Sequence, residues 1–150
     1  MRKIKAIALA GAAFLATSLP LSAGAGSDFK IPVGTRVYLC DFKVGARDKT
    51  TPEKALVMID KAGKITAYDG LMGYAGLGPQ PATAMVDNDR RVTWGWTVPG
   101  GKDELNQFTP GLEVRLTLQK ADNSALITVV PLGYMKKSAR GSCESGIIRK

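Results

Sequence analysis

Apolar and polar residues alternate with period two along much of the chain from Gly34 onward, the pattern of strands with one buried face. In the first run Tyr38, Cys40 and Phe42 share a face, and Val37, Leu39 and Asp41 share the other. A polar connection follows at 45–54. Ala55 to Asp60 and Lys64 to Asp69 then read as two β-prone runs joined by a tight turn at Lys61-Ala62-Gly63-Lys64, where Gly63 is available for the left-handed position. The next pair lies across Asn88-Asp89, with Thr83 to Asp87 leading in and Arg91 to Val98 leading out. Val92, Trp94, Trp96 and Val98 fall on one face of the outgoing run. Leu112 to Gln119 alternates as clearly, with Leu112, Val114, Leu116 and Leu118 against Glu113, Arg115, Thr117 and Gln119, and a turn at Ala121-Asp122-Asn123-Ser124 returns the chain into Ala125 to Leu132.

No stretch keeps a helical period over a useful length. Glu53 to Lys61 has a strand-like Val57-Met58-Ile59 centre, and Lys102 to Phe108 is short and lies between glycines and a proline. About seven strands joined mainly by hairpins predict an all-β fold, a small antiparallel β-barrel or a two-layer sandwich. Antiparallel order follows from the short links.

Upstream of this domain, Arg2, Lys3 and Lys5 precede an apolar run from Ile7 to Leu21, and Ala23-Gly24-Ala25 supplies small residues for cleavage. The run is rich in Ala and Gly and holds Thr17, Ser18 and Pro20, unlike the strongly apolar stretch of about 20 residues that a retained span needs. Residues 1–25 are expected to be a signal peptide and 26–150 a single exported β domain, periplasmic or secreted, with no transmembrane span in the mature chain. The first cysteine is Cys40, so a lipid anchor at the new N-terminus is not expected. In an oxidising compartment Cys40 and Cys143 predict one disulfide, tying the first strand to the tail after the last.

The address also changes the charge. The leader holds three of the 21 basic residues and no acidic one, so the whole-chain +8 becomes 18 basic against 13 acidic, or +5. Basic residues are scattered, without the stripe and interleaved aromatics of a nucleic-acid interface, and no nucleic-acid partner is expected. Histidine is absent, which excludes Ser-His-Asp and Cys-His catalysis and HExxH zinc chemistry. An enzyme would have to work with carboxylates, Lys or Tyr, and no cofactor or metal is expected.

Three features remain as candidate chemistry. The segment from Gly70 to Pro81 carries Leu71, Met72, Tyr74 and Leu77 between four glycines and two prolines, where loops are normally polar, and reads either as a docking loop or as a plug over one open end of the core. Its glycines lack the Gly-Lys-Ser/Thr of a phosphate cradle. Trp94 and Trp96, two residues apart, form either a stacking platform or core, and Val92 and Val98 on the same face favour core. Asp87 and Asp89 flank Asn88 without the glycine and later glutamate of a calcium loop, which leaves turn chemistry. Asp103, Glu104, Glu113 and Glu144 offer carboxylates, with no spacing that pairs two of them across a cleft.

The Tyr38-Leu39-Cys40-Asp41 opening, the hairpin-rich middle and the terminal Cys143 resemble the framework of the periplasmic C-type lysozyme inhibitors, small β-barrels with an early and a late cysteine. The resemblance implies an inhibitor-like module. It covers the framework alone, since Tyr68 follows Ile65-Thr66-Ala67 where that family has a Ser-Gly element ahead of a tyrosine. Taken together, these features lead us to expect a non-enzymatic exported binding protein, monomeric, using loops 70–81 and 99–111 at one end against a protein or envelope component. The alternative is a carrier holding a small apolar ligand in an internal pocket beside Trp94 and Trp96.

Overall fold

A computed structural model describes residues 29–102, 105–131 and 135–150. The leader expected at 1–25 lies outside the described residues. The elements are β1 (Arg36–Lys43), β2 (Lys54–Ile59), β3 (Ile65–Asp69), α1 (Gly70–Tyr74), β4 (Gln80–Asp87), β5 (Arg91–Val98), β6 (Gly101–Lys102), β7 (Phe108–Thr109), β8 (Leu112–Gln119), β9 (Ser124–Pro131) and β10 (Lys137–Ile147).

The protein is all-β, and eight of its strands close into an antiparallel barrel in the order β1-β10-β9-β8-β5-β4-β3-β2. The hairpin β6–β7 forms a separate small sheet in the link between β5 and β8. Closure removes the sheet edges that a sandwich leaves open. An eight-stranded barrel has an interior just wide enough for side chains to fill it, and here Val57, Trp94, Leu116 and Ile127 fill it together with the small residues Ala55, Ala67 and Ala125. Tyr38 packs against Trp94 with ring centroids 4.8 Å apart.

The strand count of about seven is one short of the barrel because the tail after Leu132 is itself the closing strand. Its inward positions are Ala139, Gly141 and Cys143, too small to print an apolar alternation on the sequence. Smallness is what the position requires: a Cβ on Gly141 would overlap the Asp41 carbonyl of β1. Cys40 and Cys143 face each other in the β1–β10 ladder and form the disulfide, with a sequence separation of 103. It staples the first strand to the last, where the barrel closes. A bridge of this kind fits an oxidising environment. The one helical element among the described residues is the single turn α1, whose five residues are too few to show a helical period.

The two ends of the barrel differ. At one, the links are tight and satisfy their own polar groups. Asp60 Oδ1 accepts from the amides of Ala62 and Lys64, Asn88 Oδ1 from those of Arg90 and Arg91, and Asp122 Oδ1 from that of Ser124. Gly63 and Asn123 take the left-handed backbone positions, at φ 83° and 59°. The Asp87-Asn88-Asp89 turn is thus turn chemistry, with Asp87 paired to Lys120 at 2.7 Å. The other end holds the three long links, 44–53, 70–79 and 99–111, together with the shorter link 132–136. No helix among the described residues is long and apolar enough to cross a membrane.

Candidate functional site: the long-loop end of the barrel

Strand β3 carries Ile65, Ala67 and Asp69 on its inward face, so its last residue sends a carboxylate toward the core. Asp69 is buried and serves as the N-cap of α1: Oδ1 accepts from the amides of Leu71 and Met72 at 2.9 and 3.0 Å. Oδ2 accepts from Trp96 Nε1 at 2.7 Å. Burial pushes the Asp69 carboxyl above its ordinary value, and the donors Met72 N, Trp96 Nε1 and Leu71 N pull the other way. One side chain thus ties the loop to the core tryptophan. No other buried charged side chain occurs among the described residues.

The helical turn resolves the choice between plug and docking loop residue by residue. Met72 is fully buried in the core cluster, and Leu71 and Leu77 are partly buried against it. The Leu77 amide donates to the Met72 carbonyl at 2.8 Å, and Gly76 at φ 67° reverses the chain. Tyr74 is 96 % exposed. The segment is a plug through Met72 and a protruding tip through Tyr74. Trp94 and Trp96 are 2 % and 5 % exposed, so both lie in the core and neither presents a ring to the surface.

Three more exposed apolar side chains sit on connections at this same end: Leu105 at 78 %, Phe108 at 75 % and Met135 at 87 %. With Tyr74 they are the four most exposed large apolar residues of those described. The sequence reading selected loops 70–81 and 99–111 but missed Met135, whose only signal was its place between a strand and Lys136-Lys137. It missed Asp69 as well, although the period-two pattern places Asp69 on the face of Ile65 and Ala67.

On the connection 44–53, Asp48 accepts from the amides and hydroxyls of Thr50 and Thr51 and lies 3.4 Å from Lys137 Nζ. Burial opposes its ionisation, and these hydrogen bonds outweigh it, holding the carboxyl well below its usual range. Two cavities lie on the outside of the barrel. One of ≈ 520 Å³ crosses β4, β5 and β8 over Gly95, between Met85 and Arg115, and one of ≈ 210 Å³ lies between Phe29–Thr35 and β2–β3. Among the described residues no group of three or more His, Cys, Asp or Glu is placed to hold a metal ion.

The fold and the disulfide define an all-β barrel domain closed by a bridge between its terminal strands. Compared with known proteins, the chain matches no family model, no curated protein and no solved structure. These comparisons give the resemblance to C-type lysozyme inhibitors no support, and a barrel architecture alone carries no function.

Proposed function

We propose that this protein is an exported, non-enzymatic binding domain of the periplasm or the extracellular space, and that its long-loop end is the contact face. The observation that carries the reading is that the four most exposed large apolar side chains of the described residues lie at one end. Tyr74, Leu105, Phe108 and Met135 stand at one end, and self-satisfied polar turns make up the links at the other. Exposed aromatic and Met side chains are the groups enriched where interfaces form. The filled interior supports a binder over a carrier, since Trp94, Leu116 and Ile127 occupy the volume a ligand would need. The missing histidine and the use of both cysteines in one bridge support a non-catalytic role.

A photo-crosslinking amino acid at position 74 or 108, and separately at 88 or 122, tests the reading in exporting cells. Adducts from 74 and 108 and none from 88 and 122 are expected. Adducts from the polar turns alone would overturn it.

A further inference from the structure

The tips at the long-loop end share a chemistry that names their partner, and this inference rests on the reading of that end as the contact face. Tyr74, Phe108 and Met135 come from three separate connections. A protein partner requires a packed, shape-matched surface, whereas tips on independent connections suit a fluid apolar medium that each can enter by itself.

Charge placement points the same way. Lys102 lies opposite Phe108 in the β6–β7 ladder, and Lys136 and Lys137 directly follow Met135. A lysine beside an inserted apolar group lays its stem along hydrocarbon and holds its ammonium at the level of lipid phosphates. Lys102 and Lys136 are exposed and make no ion pair among the described residues, and Lys137 reaches Asp48 at 3.4 Å. Tyr74 supplies an amphipathic ring of the kind that settles at headgroup depth. Asp103 and Glu104 lie in the same connection as Lys102 and offset part of the attraction, which leaves apolar insertion as the larger component. At the opposite end the exposed apolar residues, Val33 and Ile147, are about half exposed.

We propose that the long-loop end is a peripheral membrane-binding face, which seats Tyr74, Phe108 and Met135 in the interface of a bilayer and places Lys102 and Lys136 against anionic headgroups.

The test is flotation of the oxidised chain from Gly26 onward, which keeps every strand, the core and the disulfide and removes the apolar leader as a source of binding. Vesicles are phosphatidylcholine alone or mixed with phosphatidylglycerol. The wild type is expected to float with the mixed vesicles, and the triple variant Tyr74→Ser, Phe108→Ser, Met135→Ser to lose at least about tenfold in partitioning. Lys102→Gln with Lys136→Gln is expected to lower binding to the mixed vesicles by up to about fivefold per lysine, and to leave binding to phosphatidylcholine unchanged. All five positions are exposed, so unfolding curves of the variants should overlay the wild type.

Wild-type protein that stays in the lipid-free fraction, or a triple variant that floats as well as the wild type, overturns the membrane face. The first outcome combined with protein adducts from position 74 or 108 leaves the long-loop end as a contact face for a protein. Adducts confined to 88 and 122 would remove both inferences.

Discussion

Removing the Asp69 carboxylate should release the plug at the end of the barrel. In Asp69→Ala the amides of Leu71 and Met72 lose their cap, a change that costs about 0.5–2 kcal/mol at helix N-termini. Trp96 Nε1 loses its acceptor inside a ring that is buried. An unsatisfied buried donor costs about 1–3 kcal/mol. Against these losses stands the relief of no longer burying a carboxylate without a cation beside it, so a net destabilisation of about 2–4 kcal/mol is expected. Urea unfolding followed by far-UV circular dichroism measures it. A double-mutant cycle with Trp96→Phe isolates the tie to the core: once the indole N–H is gone, Asp69→Ala should cost about 1–2 kcal/mol less, because the cap alone is lost. Hydrogen exchange at the Leu71 and Met72 amides should quicken before global unfolding in Asp69→Ala. A variant within about 0.5 kcal/mol of the wild type, or a cycle that is additive, would refute the idea that Asp69 fastens α1 to the barrel.

Asp69 also gives stability a pH dependence of known sign. Because burial raises its folded-state value, the stability it contributes is present below the unfolded value of about 3.9 and is lost as pH rises through the folded value. The advantage of the wild type over Asp69→Asn should shrink from about pH 4 upward, and urea titrations showing a widening advantage would contradict it. Replacing Cys143 by Ser opens a bridge spanning 103 residues and should lower stability by a few kcal/mol, with about 4.7 as the ceiling of the chain-entropy account; unchanged denaturation midpoints would count against the bridge. Gly141→Val forces β1 and β10 apart at the Asp41 carbonyl and should cost about 3 kcal/mol or prevent folding, whereas Gly146→Ala meets open space and should be neutral by thermal melting. Met72→Ala should cost about 2–5 kcal/mol as a core truncation, and Tyr74→Ser should leave the melting curve within about 0.5 kcal/mol of the wild type.

The parts of the fold that could be read in the sequence were those where large side chains alternate. Arg91–Val98 and Leu112–Gln119 appear in the structure with the boundaries their alternation gives, because Trp94, Trp96, Val114 and Leu116 fill the barrel from consecutive inward positions. Strand β10 was illegible for the opposite reason. The β1 backbone lies close against Gly141, the inward residues of β10 are Ala139, Gly141 and Cys143, and small residues leave no hydrophobic period. The turn α1 was hidden by its length. Its cap was in view, as an acidic residue on the inward face of a strand directly before glycine. The docking loop and the plug could not be separated in sequence because Met72 and Tyr74 are both apolar neighbours. The turn of helix sends one inward and the other into solvent.

Hydroxyl-radical footprinting tests the contact face most directly, since Tyr, Phe and Met are among the side chains such radicals modify. Tyr74, Phe108 and Met135 should be modified readily in the isolated protein and protected when native envelope is added. Met85, half exposed on the outer wall of β4, serves as an internal control and should react equally in both. The contrary result is protection of Met85 with Tyr74, Phe108 and Met135 as reactive as before, which would place the contact on the barrel wall and not at its long-loop end.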